Sequence, residues 1–125
     1  MTYTFHPYKN AKRPKKGKYG NHSATYDGNV FDSRKEALYA AELDLLKKAR
    51  LPKDRVVKVE SQVNVDLMVN GKKVCRIIPD FRVTFADGHV EWHEVKSHGT
   101  MTAVWRVKKN LFQALFPNEV YRVIL

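Results

Sequence analysis

Cysteine is almost absent from this 125-residue chain, where Cys75 stands alone. One thiol builds neither a disulfide framework nor a thiolate zinc site. Stapled secreted scaffolds and zinc fingers are thereby excluded, and a reducing, intracellular (cytoplasmic) compartment is expected. Long apolar runs are lacking too. No stretch approaches the ~20 residues that cross a bilayer, and the polar, basic start does not read as a secretory leader, so no membrane partner is expected. Acids are scarce: 13 Asp and Glu stand against 23 Lys and Arg, a formal charge of +10. That imbalance favours a polyanionic partner held by phosphate contacts and counterion release, although a basic protein that is merely soluble shares it.

What is present suffices for one domain with one core, since 43% of residues are hydrophobic. Residues 1–22 form a basic arm, with Lys9, Lys12, Arg13, Lys15, Lys16 and Lys18 and no acid up to Gly20. Pro7, Pro14, Gly17 and Gly20 break any periodicity, so the arm reads as flexible or loosely docked, either contacting phosphates or only solubilising.

Residues 23–125 read as the single domain. Asp27-Gly28 between β-favouring flanks signals a hairpin, and Asp32-Ser33 starts a helix with Leu38, Ala41, Leu45 and Ala49 on one stripe, widened by Tyr39, Leu43 and Leu46. Val57 to Val69 alternates as one half-buried strand. Asn70-Gly71 turns the chain, a second strand runs from about Val74 to Phe85, and Ala86-Asp87-Gly88 leads into a third that ends near Lys96. A helix near Thr102–Phe116 follows, with Val104, Val107, Leu111 and Leu115 as its buried stripe, flanked by Trp105 and Phe112, and Val120–Leu125 is a last strand. The class is α/β (α+β): helix, three antiparallel strands, helix, strand.

The chemistry-bearing residues are Asp80, Glu94 and Lys96. Asp80 lies in the apolar stretch Ile77-Ile78-Pro79-Asp80-Phe81, where a carboxylate is expensive unless compensated. Glu94 and Lys96, two apart on a strand, share a face. If Ala86-Asp87-Gly88 is a three-residue loop with Gly88 left-handed, Asp80 falls opposite Glu94, and directly opposed Cβ atoms lie about 4.5–5.5 Å apart. A two-residue loop would put them on opposite faces. Two such acids suit a hard cation such as Mg2+. The alternative is a surface hairpin with ordinary solvated charges. Glu36 fits the capping box Ser33-Arg34-Lys35-Glu36 and is also a candidate third acid. Gln62 is read as lying on a polar strand face, open to nucleic acid or merely solvated, and His98 and Thr100 follow the Lys96 strand within reach of a phosphate.

A helix with an early Glu, strands bearing Pro-Asp and Glu-x-Lys, then helix and strand, over about residues 30–125, resembles the PD-(D/E)XK phosphodiesterase superfamily. Tyr19-Gly20-Asn21, Asp27-Gly28, Phe31-Asp32-Ser33-Arg34-Lys35-Glu36-Ala37, Gln62, Asp80-Phe81 and Glu94-Val95-Lys96 resemble a small phage-encoded family of it, formerly a domain of unknown function. The resemblance implies a restriction-endonuclease-like core, with a mixed central sheet flanked by helices. It also implies a Mg2+- or Mn2+-dependent endodeoxyribonuclease of phage replication, recombination or packaging. In that reading Asp80 and Glu94 bind the metal, joined by the Val95 backbone carbonyl. Lys96 orients or activates the attacking water, and Glu36 completes the acidic cluster. DNA, branched or single-stranded forms included, would meet Lys12, Arg13, Lys15, Lys16, Lys18, Gln62 and His98, and a homodimer would let both strands be cut. The competing readings are a non-catalytic nucleic-acid-binding protein and a nuclease-fold subunit of a larger complex.

Overall fold

The computed structural model describes residues 24–26, 29–31 and 33–125. The basic arm, with Lys12, Arg13, Lys15, Lys16 and Lys18, lies outside the described residues. Contacts divide the chain into two compact units. One reaches Val57 and includes Phe85–Asp87, and the other comprises Lys58–Thr84 and Gly88–Leu125.

In the first unit, β1 (Ala24–Tyr26) and β2 (Asn29–Phe31) pair antiparallel with Tyr26 opposite Asn29. This is the hairpin expected around Asp27-Gly28. α1 (Arg34–Leu45) begins where the capping chemistry places it: the Ser33 hydroxyl accepts the Glu36 N–H at 3.1 Å. Its buried stripe is Glu36, Ala37, Ala40 and Leu43; of the expected residues Leu43 is buried, while Leu38 and Leu45 are exposed. Apolar side chains surround most of this helix, so periodicity alone does not choose between stripes. A 3-10 turn, Leu46–Lys48, closes it.

A mixed four-stranded sheet has the order β3 (Val56–Ser61), β6 (Phe81–Phe85), β7 (Val90–Val95), β8 (Val120–Ile124). β4 (Val65–Val69) and β5 (Lys72–Ile77) form a separate antiparallel pair. The single strands expected over Val57–Val69 and Val74–Phe85 are therefore each broken in two. The breaks have local causes. Pro79 has no N–H to give a ladder, and Gln62 adopts φ +54°, a left-handed backbone that a strand cannot contain. They coincide in space, because the Gln62 N–H donates to the Asp80 carbonyl at 3.0 Å. The break also spoils the alternation: Val57 is 53% exposed, while Val56 and Val59 are buried.

The turns behave as their residues dictate. Asn70 and Gly71 both have positive φ, with Val69 opposite Lys72, as an Asn-Gly two-residue hairpin requires. Gly88 sits at φ +93°, and the β6–β7 register runs Phe81↔His93 to Thr84↔Val90. Extended by one pair beyond Phe81, it sets Asp80 opposite Glu94.

β7 and β8 run parallel, with Glu91 opposite Val120 and Val95 opposite Ile124. Parallel neighbours need a long crossover, usually a helix, and α2 (Ala103–Leu115) supplies it, capped by the Thr102 hydroxyl on the Trp105 N–H at 3.2 Å. α2 packs with Phe112 fully buried among Leu67, Ile77, Trp92 and Tyr121. The Phe112 ring meets Trp92 edge-on at 5.7 Å and Tyr121 at 5.2 Å. Burying that ring is worth roughly 1.5–3 kcal/mol. Val104 and Val107, expected inside, are exposed, whereas Leu111 and Leu115 pack against the core as expected, with Trp105, Phe112 and Phe116 beside them. Large rings fill the space over the sheet better than valines, which shifts the buried stripe around the helix. Among the described residues no helix is long and apolar enough to cross a membrane.

Candidate active site

Asp80 and Glu94 are 8% and 6% exposed. They belong to the second unit, where β7 delivers Glu94 and the residue before β6 is Asp80. The strand break gives Asp80 its setting. Its Oδ2 accepts the Val95 N–H at 2.7 Å and its Oδ1 accepts from the Gln62 amide at 3.4 Å. Gln62 is thus fastened to Asp80 by backbone and side chain together. It does not lie on the regular strand face where the sequence placed it, open to nucleic acid or solvated. A non-glycine residue held at positive φ is uncommon, and such strain gathers at functional sites.

Glu94 is held from two sides. Its Oε2 accepts from the Tyr121 hydroxyl at 3.0 Å, and its Oε1 lies 3.3 Å from Lys96 Nζ. Lys96 in turn stands 4.9 Å from the centroid of the Trp105 ring, an attraction between cation and ring quadrupole. The strand alternation that put Glu94 and Lys96 on one face is the observed one.

Burial and the facing Glu94 push the Asp80 carboxyl up to about 7, against the pull of the Val95 N–H, Lys96 and Gln62. Burial also raises Glu94, against Lys96 and the Tyr121 hydroxyl. Tyr121 itself is driven up by burial and by the Glu94 charge beside it. Two carboxylates that resist ionising together are what a divalent cation relieves. Each oxygen accepts one bond and keeps lone-pair capacity. Among the described residues no three His, Cys, Asp or Glu side chains gather as a ligand set. Two carboxylates are a donor set of the kind Mg2+ takes, an ion that keeps several waters and uses one or two carboxylates beside phosphate oxygens.

A consequence for stability follows, with its sign fixed by linkage. A folded carboxyl at about 7 retains a proton that the unfolded chain, at 3.8, has released. Its contribution to stability is full below about pH 4 and is lost as pH rises through about 7. Asp80→Asn removes that loss. In EDTA at pH 8 the variant is expected to melt several degrees above wild type, on the order of 5 °C, with the gain gone at pH 4. Thermal unfolding at both pH values checks this, and an equal or lower Tm at pH 8 contradicts it.

The remaining expected residues divide. Glu36 is buried on α1, in the first unit, an unusual setting for a carboxylate that only caps a helix. His98 is exposed in the 3-10 turn His98–Thr100 that follows Lys96. Thr100 is occupied by that turn, its hydroxyl accepting the Ser97 N–H at 2.9 Å and donating to the Ser97 carbonyl at 3.0 Å. The Val95 N–H is committed to Asp80, as above, and the Lys96 N–H donates to the Ile124 carbonyl at 2.8 Å.

Sequence reasoning missed two features. Tyr121 arrives on β8 by parallel pairing, which no local signal announces. Glu91 is a second buried acid, with Arg122 Nε at 2.6 Å and ring nitrogens of His93 and His89 each at 3.0 Å. Burial pushes the Glu91 carboxyl up, but those three partners outweigh it and hold it at about 2. The alternation His89-x-Glu91-x-His93 on one strand face was the available signal. His93 is part of this buried network.

A family model described as "Protein of unknown function (DUF1064)" matches residues 16–124. No curated protein and no solved structure matches the chain.

Proposed function

We propose that this chain, which belongs to the DUF1064 family, is a metal-dependent phosphodiesterase that cleaves DNA. The observation that carries the proposal is the buried Asp80–Glu94 pair facing across β6 and β7, with Lys96 Nζ 3.3 Å from Glu94. Two acids buried side by side, with the Glu94 charge opposing ionisation of Asp80, are costly for a purely structural role. The resemblance to the PD-(D/E)XK superfamily adds the reaction class, because a fold by itself does not choose one.

Asp80 and Glu94 would hold Mg2+ or Mn2+, with the Val95 carbonyl as the third donor that the resemblance implies. A bound metal supplies Lewis-acid stabilisation of the phosphate and a nucleophile at neutral pH. The protein's own groups do the positioning. The Val95 N–H and Gln62 fix the Asp80 carboxylate, and the Tyr121 hydroxyl fixes Glu94. Lys96 places a positive charge beside Glu94, where it orients the attacking water and offsets charge on the scissile phosphate. The chain's formal charge of +10 draws the polyanion in.

Incubation with supercoiled, linear duplex, single-stranded and branched DNA, in Mg2+ or Mn2+, is expected to yield strand scission on at least one substrate. Intact products throughout, from folded protein that binds DNA, would favour the non-catalytic reading.

A further inference from the structure

We infer that the cleft beside Lys96 is a site for one unpaired nucleotide of the bound strand, so that the protein engages nucleic acid where base pairing is interrupted. The cleft, about 320 Å³, is lined in part by Glu94 and Lys96. Its volume lies at the small end of the range for small-molecule sites, roughly 300–1,000 Å³, which suits a nucleotide and not a duplex. Its walls carry two kinds of chemistry. Ile78, Val104 and Trp105 are apolar, while Arg76 and Lys108 are cationic. Ile78 is 44% and Val104 65% exposed, so both are open to a ligand in the cleft.

A flat apolar ligand bearing negative charge matches that wall. A base provides the face, and its flanking phosphates meet Arg76 and Lys108. Unpaired bases bind to apolar and aromatic surfaces in this way, with little dependence on sequence, since every base has a π-face. A paired base hides its faces in the stack and cannot enter. Lys96 and Glu94 line both the cleft and the candidate active site, so a nucleotide seated here sets its own phosphate next to the carboxylate pair. This last step rests on the phosphodiesterase reading, whereas the nucleotide site itself does not.

The test measures binding without cleavage, in EDTA, by anisotropy of labelled oligonucleotides with the full chain. The double variant Ile78→Ser, Val104→Ser removes the exposed apolar wall without changing charge. It is expected to weaken single-stranded DNA about tenfold and to leave a blunt duplex within twofold. A single-stranded RNA arm distinguishes the sources: the same loss there shows that the site reads the base and not the sugar, and loss with DNA alone shows that it reads both. Trp92→Phe leaves Trp105 as the sole tryptophan of the two. In that background single strands should quench its fluorescence and a blunt duplex should not. Equal affinities of the double-serine variant and wild type for single strands, or equal losses on strand and duplex, overturn the site. A parallel cleavage assay separates the two ideas. Wall-dependent strand binding without any cleavage refutes only the phosphodiesterase, and cleavage without wall dependence refutes only the site.

Discussion

Asp80→Ala and Glu94→Ala are each expected to lower DNA cleavage by about a thousandfold or more while the protein stays folded. Losing one carboxylate removes half of a two-carboxylate ligand set, and with it the charge stabilisation on which metal-assisted hydrolysis depends. Folding should survive for a reason visible in the site. The Glu94 charge raises the Asp80 carboxyl, so removing either acid relieves repulsion above pH 7. Asp80→Ala does leave the Val95 N–H without its acceptor at 2.7 Å, a penalty of about 1–3 kcal/mol that partly offsets the relief. Glu94→Ala instead removes the acceptor of the Tyr121 hydroxyl at 3.0 Å and the anion 3.3 Å from Lys96. DNA affinity in EDTA should change little, since phosphate attraction is carried by the lysines and arginines. Initial rates on the best substrate, with far-UV circular dichroism as the folding control, decide the matter. Cleavage at the wild-type rate by either variant contradicts the assignment.

Lys96→Ala is expected to reduce turnover about a hundredfold to a thousandfold and to leave metal binding within a few-fold at pH 8. The ammonium is assigned to water and phosphate, not to the cation. Its loss has a side effect with a definite sign. Lys96 pulls the Glu94 carboxyl down, against burial. Without it Glu94 holds its proton to higher pH, so metal affinity should fall at pH 6 more than at pH 8. Titration calorimetry with Mn2+ at the two pH values, beside single-turnover rates, separates the roles. Metal binding lost at pH 8 with turnover preserved would reverse them.

The site's central pairing was readable because turn chemistry sets register. Gly88 at positive φ makes Ala86-Asp87-Gly88 a three-residue loop, and counting back from it faces Asp80 with Glu94. Ser33 and Asn70-Gly71 worked the same way, through local hydrogen bonding and backbone preference. The strand breaks were hidden because Pro79 was read for its neighbour Asp80 and not for its missing N–H. Nothing local marks Gln62 for a left-handed backbone either. The helix faces misled for another reason. Val104 and Leu45 count as apolar in any periodic pattern, yet they are 65% and 71% exposed, because rings and close-packing alanines won the buried positions. Tyr121 reaches Glu94 only through parallel pairing across the α2 crossover, 27 residues along the chain.

The most direct measurement of the central claim is cleavage as a function of metal, on a fixed labelled DNA, with Asp80→Asn in parallel. Wild-type protein dialysed against EDTA should be inactive, and titrated Mg2+ or Mn2+ should restore strand scission along a saturable curve. Asp80→Asn, folded and thermally more stable at pH 8, should remain inactive at every metal concentration. Scission by wild type that persists undiminished in EDTA, or an Asp80→Asn protein that recovers with the same metal dependence, would contradict a metal centre at Asp80 and Glu94.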